Sequence, residues 1–497
     1  MAAVPFFLFL SSTPDCCWGI ANMAKNIRDE IVAKRQARVL AMGFAEGVEL
    51  PARREAPIVP FLGRNGLICE VKRKSPSKGD IAPGLDAVAQ AGLYVKAGAG
   101  NLSVLTERDG FGGSLEDLVR VKRAYPEAAV LRKDFLFDLH DIDVAWRAGA
   151  DAVLLIAGML DAERLNTLYR CAKGLGMEAL VEVHDAEDLE KAATFMPNLV
   201  GINSRDLTTF RIDPLLPLRV RSGIGWEARV VYESGIAARD QADFAVASGF
   251  DGLLVGEGVV REPALAGELL AALAGTKRRR FWPEIGKKLF ARPGKAMVKV
   301  CGLTNADDVR LAAEMGADAL GFVLYEKSPR CAAVEVLEAV RKVDVLKVGV
   351  VVGGRGEGLR GDVRRLLDEG LLDGVQLHGD EGVEDVAAAG PASYKVLRPR
   401  GVDDIGMADG YRCPRLLLDA AGDVPGGTGK RVGAEILESW HRPLWLAGGI
   451  TPDNVGRIVE ARRPELVDLA SGVEESPGRK SPALLKKLFA ELKNVQG

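Results

Sequence analysis

Residues 67–78 read LICEVKRKSPSK, a short apolar run that carries charges at its end. The apolar side chains among its first five residues are typical of a buried strand. Because residues two apart on a strand share a face, Glu70 and Lys72 point the same way. A buried unpaired charge is costly, so such charges pair, reach solvent or take part in chemistry. The stretch therefore fits either a barrel strand that ends in catalytic residues or a surface strand with solvated charges.

The whole chain is too long for one core of this kind. It has 497 residues, of which 47% are hydrophobic and 27% charged, and its formal net charge is -3. That length favours two domains of about 250 residues each. The small net charge gives no general attraction to nucleic acid or to a membrane, so we expect a small-molecule partner held by a local site.

Cysteine and histidine usage argues against a disulfide framework and against a metal centre. The seven cysteines are scattered, apart from the adjacent Cys16 and Cys17, and the four histidines lie far apart in sequence. Neither pattern has the clustered spacing of a zinc site, and so long a chain does not need disulfides to fold. A reducing, cytoplasmic environment fits this usage.

The first 22 residues differ from the rest. The run from Val4 to Leu10 is apolar, but no Lys or Arg precedes it and no long apolar span follows. A weak signal peptide is one interpretation, and a disordered or misassigned leader at 1–22 is the one we favour. The folded chain should then begin near Met23 with an amphipathic helix.

From residue 67 onward, short β-rich runs alternate with segments of helical period. In the first half these runs fall at 67–73, 102–107, 129–135, 152–157, 179–184, 199–206, 229–235 and 252–257. Alternation of strand and helix predicts a parallel sheet, and eight such units predict a closed barrel.

Residues 276–296 interrupt this alternation with a basic stretch that contains two prolines. A charge run such as 277–280 is usually solvated, so we predict a linker. The alternation then resumes, with runs at 298–303, 319–325, 346–352, 374–378, 394–398, 415–419, 444–449 and 467–472. The predicted fold class is α/β, with two (β/α)8 TIM barrels in tandem, at 23–275 and 297–497, joined by a short basic linker.

The two halves repeat each other near their ends. In the first half ESGI at 233–236 is followed by VGE at 255–257, and in the second AGGI at 447–450 is followed by ASG at 470–472. Glycines at the ends of strands seven and eight let backbone N–H groups approach an anion, helped by a short helix N-terminus. The recurrence at matched positions predicts one phosphate site in each barrel.

Ordered motifs at the predicted strand ends resemble those of two enzyme families. In the first half they are ExKxxSPS at 70–77, LRKDF at 131–135, Glu182, GINSRDL at 201–207 and ESGI at 233–236. In the second half they are KVCGLT at 299–304, SPR at 328–330, QLHG at 376–379, LD at 418–419, GGTG at 426–429 and GGI at 448–450. The first set is similar to indole-3-glycerol-phosphate synthase and the second to phosphoribosylanthranilate isomerase, enzymes of tryptophan biosynthesis.

For the first barrel, the resemblance implies closure of an indole ring with loss of carbon dioxide and water. It implies that Lys133 is the general acid and that Lys72 holds the substrate carboxylate. It also implies that Glu70 and Glu182 handle proton removal, and that Asn203 orients the substrate hydroxyls. The implied phosphate and substrate contacts are Ser75, Arg205, Ser234, Gly235 and Gly256.

For the second barrel, the resemblance implies an Amadori rearrangement of N-(5-phosphoribosyl)anthranilate, with Cys301 as the base and Asp419 as the acid. Arg330 would pair with the anthranilate carboxylate, a bidentate task that suits a guanidinium group. His378 either lines the site or is a structural histidine. The implied phosphate contacts are Gly427, Gly448, Gly449, Ser471 and Gly472.

Some features of the second barrel depart from the resemblance. Ala470 stands where we expect serine, and Val432-Gly433 stands where an aromatic–acid pair is usual. These departures put the substrate affinity of the second barrel in question, rather than its activity. This barrel could instead be a sugar-phosphate isomerase of histidine synthesis, although that family uses two aspartates and this chain has Cys301.

Either barrel could also be a catalytically degenerate module that binds phosphate or serves as a scaffold. The retention of both Cys301 and Asp419 argues against this alternative. The resemblance implies no cofactor and no metal. We expect a cytoplasmic monomer that acts on phosphorylated small molecules, without a nucleic acid or membrane partner.

Overall fold

The computed structural model describes residues 27–76, 79–205, 211–422 and 429–496. The expected leader at 1–22 and the predicted phosphate contact Gly427 lie outside the described residues. The first described element is a helix at Ile27–Met42, within the stretch where an amphipathic helix is predicted.

Eight parallel strands close the first barrel, because each pairs with the next in the chain and the first pairs with the eighth. All eight predicted runs contain a strand. The strands are β1 (Leu67–Val71), β2 (Asn101–Leu105), β3 (Ala129–Lys133), β4 (Ala152–Ile156), β5 (Glu178–Val183), β6 (Leu199–Asn203), β7 (Arg229–Glu233) and β8 (Gly252–Val255).

The second barrel has the same closed order of eight parallel strands. Its strands are β9 (Met297–Cys301), β10 (Ala319–Val323), β11 (Leu346–Val351), β12 (Gly374–Leu377), β13 (Ser393–Leu397), β14 (Leu416–Leu418), β15 (Trp445–Leu446) and β16 (Leu466–Leu469). The predicted fold class, two (β/α)8 barrels in tandem, is confirmed.

Helices follow the strands in both barrels. In the first they are Ala87–Lys96, Leu115–Ala124, Leu139–Ala148, Ala162–Gly174, Ala186–Ala193, Leu216–Arg221, Arg239–Ala247, Glu257–Arg261 and Leu265–Gly275. In the second they are Ala306–Glu314, Val334–Ala339, Gly361–Asp368, Val383–Ala389, Ala434–Ser439, Val455–Arg462 and Pro482–Gln496, with a 3₁₀ helix at Val402–Gly410 after β13. None of the helices in the described ranges is long and apolar enough to cross a membrane.

Side-chain alternation along the strands separates the interior of the first barrel from its helical shell. Ile68, Leu131 and Leu180 belong to one buried apolar cluster. Their chain neighbours Leu67 and Val181 belong to another cluster, which includes helix residues. Because residues two apart share a face, the residue two places further along each strand also points inward, near its carboxyl end. Those positions hold Glu70 on β1, Lys133 on β3, Glu182 on β5, Asn203 on β6 and Glu233 on β7.

The segment predicted as a linker contains a helix with one buried face, which its basic composition does not predict. We call this helix, Phe281–Ala291, the connecting helix. The Phe281 and Trp282 side chains are 1% and 2% exposed, so this part of the chain is core rather than tether. The basic run before the helix dominates the composition, but the burial of two large aromatic side chains decides the structure.

The aromatic side chains of the connecting helix join the two barrels. Phe281 stacks on Tyr394 of β13, with ring centroids 5.8 Å apart. Trp282 has a ring neighbour in each barrel, Phe244 at 6.0 Å in the first and Trp445 of β15 at 5.8 Å in the second. Tyr394 and Trp445 lie at the amino ends of their strands, so the connecting helix closes that end of the second barrel.

The basic run before the connecting helix is paired with acids of both barrels. Arg278 pairs with Asp251 of the first barrel, and Arg279 pairs with Asp368 of the second. Exposed ion pairs of this kind add little stability. The aromatic contacts, rather than the charges that motivated the linker prediction, therefore hold the helix in place.

Replacing Trp282 by alanine should destabilise the full-length chain by about 3–5 kcal/mol, because the change opens a cavity between the barrels. Urea unfolding monitored by circular dichroism measures this loss. Lys287→Ala is the control, since Lys287 lies exposed on the same helix and should change stability little. Equal effects of the two substitutions would contradict the role given to Trp282.

Candidate active sites

The first cavity lies at the carboxyl ends of the strands of the first barrel and has a volume of about 420 Å³. All residues predicted for this barrel line it, so the structure brings the predicted set together. They are Glu70, Lys72, Ser75, Lys133, Glu182, Asn203, Arg205, Ser234, Gly235 and Gly256. Their individual roles stay predictions.

Lys133, at the end of β3, lies among carboxylates from three other strands. Its Nζ is 3.7 Å from Glu70 Oε2, 3.7 Å from Glu182 Oε2 and 3.6 Å from Glu233 Oε2. Burial lowers the pKa of Lys133, but these carboxylates outweigh burial and raise it above its usual value. The ammonium group is therefore charged at neutral pH and can donate a hydrogen bond or a proton to a bound molecule.

Glu182 and Glu233 have pKa values that are shifted in opposite directions. Burial raises the pKa of Glu182, but Lys133 and His184 outweigh it and hold that pKa well below its usual value. Burial and the adjacent charge of Glu182 raise the pKa of Glu233 well above its usual value. The two shifts separate the carboxyl groups in acidity, because they favour the ionised form of Glu182 and the protonated form of Glu233.

Glu233 has no predicted role, although it ends β7 and directly precedes Ser234. Its carboxylate fits because Gly201 on β6 has no side chain: a Cβ there would lie 1.9 Å from Glu233 Oε1. The available signal was position. Like Glu70 and Glu182, Glu233 is an acid at the inward-facing carboxyl end of a barrel strand.

Glu70 and Lys72 form the ion pair that their shared face predicts, with Lys72 Nζ 2.8 Å from Glu70 Oε1. Burial raises the pKa of Glu70, but Lys72 and Lys133 lower it overall. Gly256 at the end of β8 leaves room for this pair, because a Cβ there would lie 2.5 Å from Glu70 Oε1 and 3.0 Å from Lys72 Nζ. A side chain at position 256 would therefore force the ends of Glu70 and Lys72 to shift.

The turn after β7 has an unusual backbone. Ser234 and Gly235 have φ angles of 69° and 78°, and a positive φ is uncommon for serine. Turns of this kind can present backbone N–H groups to an anion. Arg205 lines the same cavity, where burial lowers the pKa of its guanidinium group although Glu257 opposes the shift.

His184 lies between two carboxylates next to the first cavity. Its Nε2 is 3.2 Å from Glu182 Oε1, and its Nδ1 is 3.5 Å from Asp188 Oδ2. Burial lowers the pKa of His184, but the two acids outweigh it and raise the pKa to about 10. His184 is therefore protonated at neutral pH and helps to keep Glu182 ionised.

The second cavity lies at the carboxyl ends of the strands of the second barrel and has a volume of about 340 Å³. Every residue predicted for this barrel lines it except Gly427, which lies outside the described residues. The lining residues from the prediction are Cys301, Arg330, His378, Asp419, Gly448, Gly449, Ser471 and Gly472. Within the described ranges, no three His, Cys, Asp or Glu side chains are grouped so that they could hold a metal ion.

Cys301 ends β9, and Asp419 directly follows β14. Burial raises the pKa of the Cys301 thiol, and the nearby Lys299 ammonium opposes that shift. The raised pKa means that the thiol is protonated in this state. Proton abstraction by Cys301 therefore requires its pKa to fall when a substrate binds.

A buried network leads from β9 to Asp419. Lys299 Nζ donates to Gln376 Oε1 at 2.8 Å and pairs with Asp468 Oδ2 at 2.6 Å. Gln376 Nε2 lies 3.0 Å from His378 Nδ1, and His378 Nε2 lies 3.2 Å from Asp419 Oδ2. Because the Gln376 oxygen accepts from Lys299, its nitrogen donates to His378, which assigns the imidazole proton to Nε2, on the side of Asp419.

Arg330 is held by a carboxylate that sequence analysis did not find. Its Nε and Nη2 donate to Glu474 at 3.0 Å and 2.8 Å. Glu474 also accepts from Lys480 Nζ at 2.8 Å, and Lys480 donates to the Cys301 carbonyl oxygen at 2.6 Å. Both residues lie on a short hairpin after β16, and no local pattern in the sequence connects that hairpin with Arg330.

Glycines also shape the second cavity. Gly448 and Gly449 have φ angles of 87° and 59°, a region that favours glycine. A Cβ on Gly472 would lie 1.9 Å from the Ile450 carbonyl oxygen, so no side chain fits there. The backbone can thus approach a bound anion closely at the two places where a phosphate contact is predicted.

Both halves of the chain match known protein families. Residues 26–270 match the family model described as indole-3-glycerol phosphate synthase, and residues 298–491 match the one described as N-(5'phosphoribosyl)anthranilate (PRA) isomerase. The tryptophan biosynthesis protein TrpCF of Yersinia pestis is 32% identical over 436 residues, which cover 86% of this chain and 84% of that protein. Its counterpart in Helicobacter pylori is 30% identical over 434 residues, which cover 86% and 89%.

The chain belongs to the TrpCF family of tryptophan biosynthesis proteins. It is also 32% identical over 464 residues to the multifunctional tryptophan biosynthesis protein of Schizosaccharomyces pombe. There the match covers 86% of this chain but only 59% of the relative, and a match to the multifunctional protein of Phycomyces blakesleeanus covers 63% of that relative. The chain therefore corresponds to only part of the multifunctional proteins of Schizosaccharomyces pombe and Phycomyces blakesleeanus.

The stability contributed by His184 should depend on pH. Its pKa of about 10 in the folded chain exceeds the usual 6.5, so its contribution is fully present below pH 6.5 and is lost as the pH rises through about 10. The excess stability of the unmodified chain over His184→Gln, measured by urea unfolding, should therefore fall across that range. His441→Gln, at another exposed histidine, is the control. A difference that does not change with pH would contradict the pairing of His184 with its two acids.

Proposed function

We propose that this chain catalyses two consecutive steps of tryptophan biosynthesis. The second barrel isomerises N-(5-phosphoribosyl)anthranilate, and the first barrel converts the product into indole-3-glycerol phosphate. The observation that carries the proposal is the convergence of Lys133 with the carboxylates of β1, β5 and β7 in one cavity. Membership of the TrpCF family supports both activities.

In the second barrel, Asp419 donates a proton to the ring oxygen of the aminoaldose, and the ring opens to an iminium intermediate. Cys301 then removes the proton from C2, and the resulting enolamine tautomerises to the ketose. His378 Nε2 lies 3.2 Å from Asp419 Oδ2, close enough for a proton on it to stabilise the carboxylate after the transfer. The acid and the base are thus separate groups, as the rearrangement requires.

Arg330 binds the anthranilate carboxylate in this proposal. Glu474 accepts hydrogen bonds from Nε and Nη2, so the edge of the guanidinium group formed by Nη1 and Nη2 remains for a second carboxylate. Gly448, Gly449, Ser471 and Gly472 line the same cavity, and in this proposal they bind the phosphate group. Gly427 is proposed as a further phosphate contact, on the strength of its motif alone.

In the first barrel, Lys133 protonates the ketone oxygen while the anthranilate ring carbon attacks the carbonyl carbon. Lys72 holds the carboxylate that leaves as carbon dioxide. Loss of the new hydroxyl group as water then needs a proton for the leaving oxygen and a base for the remaining ring proton. We assign the base to ionised Glu182 or Glu70, and the proton to Glu233, whose pKa is raised well above its usual value.

The remaining residues of the first cavity orient the substrate. Asn203 binds the substrate hydroxyl groups, and the turn at Ser234 and Gly235 binds the phosphate together with Ser75 and Gly256. Arg205 lies on the same side of the cavity and adds positive charge.

The proposal extends to a monomer that works in the cytoplasm on phosphorylated small molecules. The free cysteines among the described residues are consistent with a reducing compartment. The chain also divides into residues 23–275 and 297–497, one activity in each, with the connecting helix between them.

Phosphoribosylanthranilate supplied to the purified chain should yield indole-3-glycerol phosphate. Loss of anthranilate-type fluorescence reports the isomerisation, and the rise of indole absorbance reports ring closure. Accumulation of the rearranged intermediate would place the failure in the first barrel. If neither signal changes, adding the intermediate directly tests the first barrel alone, and no turnover of either compound would refute the proposed function.

The two activities should be separable by single substitutions. Lys133→Met should lower the rate of ring closure by about 10²–10⁴-fold because it removes the proton donor, while isomerisation continues. Asp419→Asn should do the reverse. Lys173→Met and Asp409→Asn, on the outer surface of each barrel, are the matched controls. Loss of both activities in either active-site variant would contradict two independent sites.

A further inference from the structure

An ion pair joins the second barrel to the loop that follows β6 of the first. Arg415 Nη1 and Nη2 donate to Asp213 Oδ1 and Oδ2 at 2.7 Å and 3.2 Å. On its other side, Arg415 Nε donates to Glu465 Oε2 at 2.7 Å. The Arg415 side chain is 3% exposed and that of Asp213 is 29% exposed, so the pair is largely shielded from water.

Asp213 is bonded to the backbone that carries the catalytic end of the first barrel. Its N–H donates to the Ser204 carbonyl oxygen at 3.0 Å, and the Ser204 N–H donates to the Glu233 carbonyl oxygen at 2.9 Å. Ser204 Oγ donates to the Ser234 carbonyl oxygen at 3.1 Å. The positive φ of Ser234 needs support from its surroundings, and Ser204 supplies one such bond.

Ile212, next to Asp213, lies against the same turn. It forms an antiparallel bridge with Arg205, and both residues line the first cavity. A Cβ on Gly235 would lie 2.9 Å from Ile212 Cγ2, which shows how closely the isoleucine covers that glycine. The position of residues 212 and 213 is therefore linked to the turn at Ser234 and Gly235.

We propose that Arg415 of the second barrel is a positioning residue for the active site of the first barrel. It fixes Asp213, which holds Ser204 and Ile212 against the proposed phosphate-binding turn at Ser234 and Gly235. The inference rests on the proposed function of the first barrel. Arg415 contacts neither cavity, so it acts through the loop and not on a substrate.

The charges at this contact explain why the loop depends on its partner barrel. Burial raises the pKa of Asp213, but Arg415 outweighs it and lowers that pKa below its usual value. Removing the guanidinium group would leave a partly buried carboxylate with its main counter-charge gone, and such a group moves toward solvent. Movement of Asp213 would draw the bridge between Ile212 and Arg205 away from the phosphate-binding turn.

The test uses the full-length chain with Asp213→Asn, Arg415→Gln and the double variant. Each single variant should raise the KM for the isomerised intermediate in ring closure by about threefold to tenfold, with kcat nearly unchanged, because ground-state binding is what the turn provides. The double variant should be no worse than the single ones, since both remove the same contact. Isomerisation should keep its kcat/KM in Asp213→Asn.

Arg412→Gln is the matched control. It removes another inter-barrel ion pair, in which Arg412 Nε donates to Asp240 Oδ2 at 2.8 Å, but Asp240 lies near the start of an outer helix and does not line the first cavity. This variant should leave the KM for ring closure unchanged. Asp213→Asn keeps the size of the side chain and an oxygen for the Leu215 N–H, so the test stands even if Arg415→Gln folds poorly.

Hydrogen–deuterium exchange supplies a readout that does not depend on turnover. The amides of Ser204 and of residues 211–213, 215 and 216 should exchange faster in Asp213→Asn and Arg415→Gln than in Arg412→Gln. If the unmodified chain fails to close the indole ring, the proposed function is refuted. Hydrogen–deuterium exchange alone then tests whether Arg415 positions the loop of the first barrel. Unchanged exchange, an unchanged KM for ring closure, or additive effects in the double variant would each overturn the inference.

Discussion

The interior of a closed barrel accepts only every second side chain of each strand, and both active sites depend on that constraint. In the first barrel an apolar layer that includes Ile68, Leu131 and Leu180 fills the interior. The next inward positions are Glu70, Lys133 and Glu182, where the strands end and a ligand can reach them. The same alternation that builds the core therefore delivers charged groups from different strands to one point.

Charges gathered in this way must balance one another, because water no longer screens them. In the first barrel the Lys133 ammonium group lies among carboxyl groups of three strands, and burial together with the charge of Glu182 raises the pKa of Glu233 well above its usual value. In the second barrel a charged pair lies deeper in the interior. Lys299, in the middle of β9, is fully buried, and Asp468 of β16 neutralises its charge. Desolvation of the two charges offsets much of the stability that such a buried pair could add. Its main effect is therefore to fix the orientation of Gln376 and His378.

The parts of the structure that follow from local periodicity could be predicted from the sequence. The strands were predicted because their apolar runs are short and separated by helical segments, and the site residues were predicted because the motifs at the strand ends resemble those of two enzyme families. Contacts between distant segments could not be found in this way. Glu474 reaches Arg330 across 144 residues and Arg415 reaches Asp213 across 202, and neither spacing has a local signature. The connecting helix was not predicted for a different reason. Its segment is mainly basic, and the two aromatic residues that bury it, Phe281 and Trp282, do not stand out in that composition.

The connecting helix also limits how the distance between the barrels can change during evolution. A flexible tether tolerates insertions at small cost, because the entropy of closing a loop grows slowly with its length. Here Trp282 contacts both barrels and Leu289, two turns later, is buried as well. One residue inserted between them would rotate one end of the helix against the other by roughly 100° and would turn a buried face toward solvent. Relatives that keep both barrels in this arrangement should therefore vary in length before the helix or after it, but not within it.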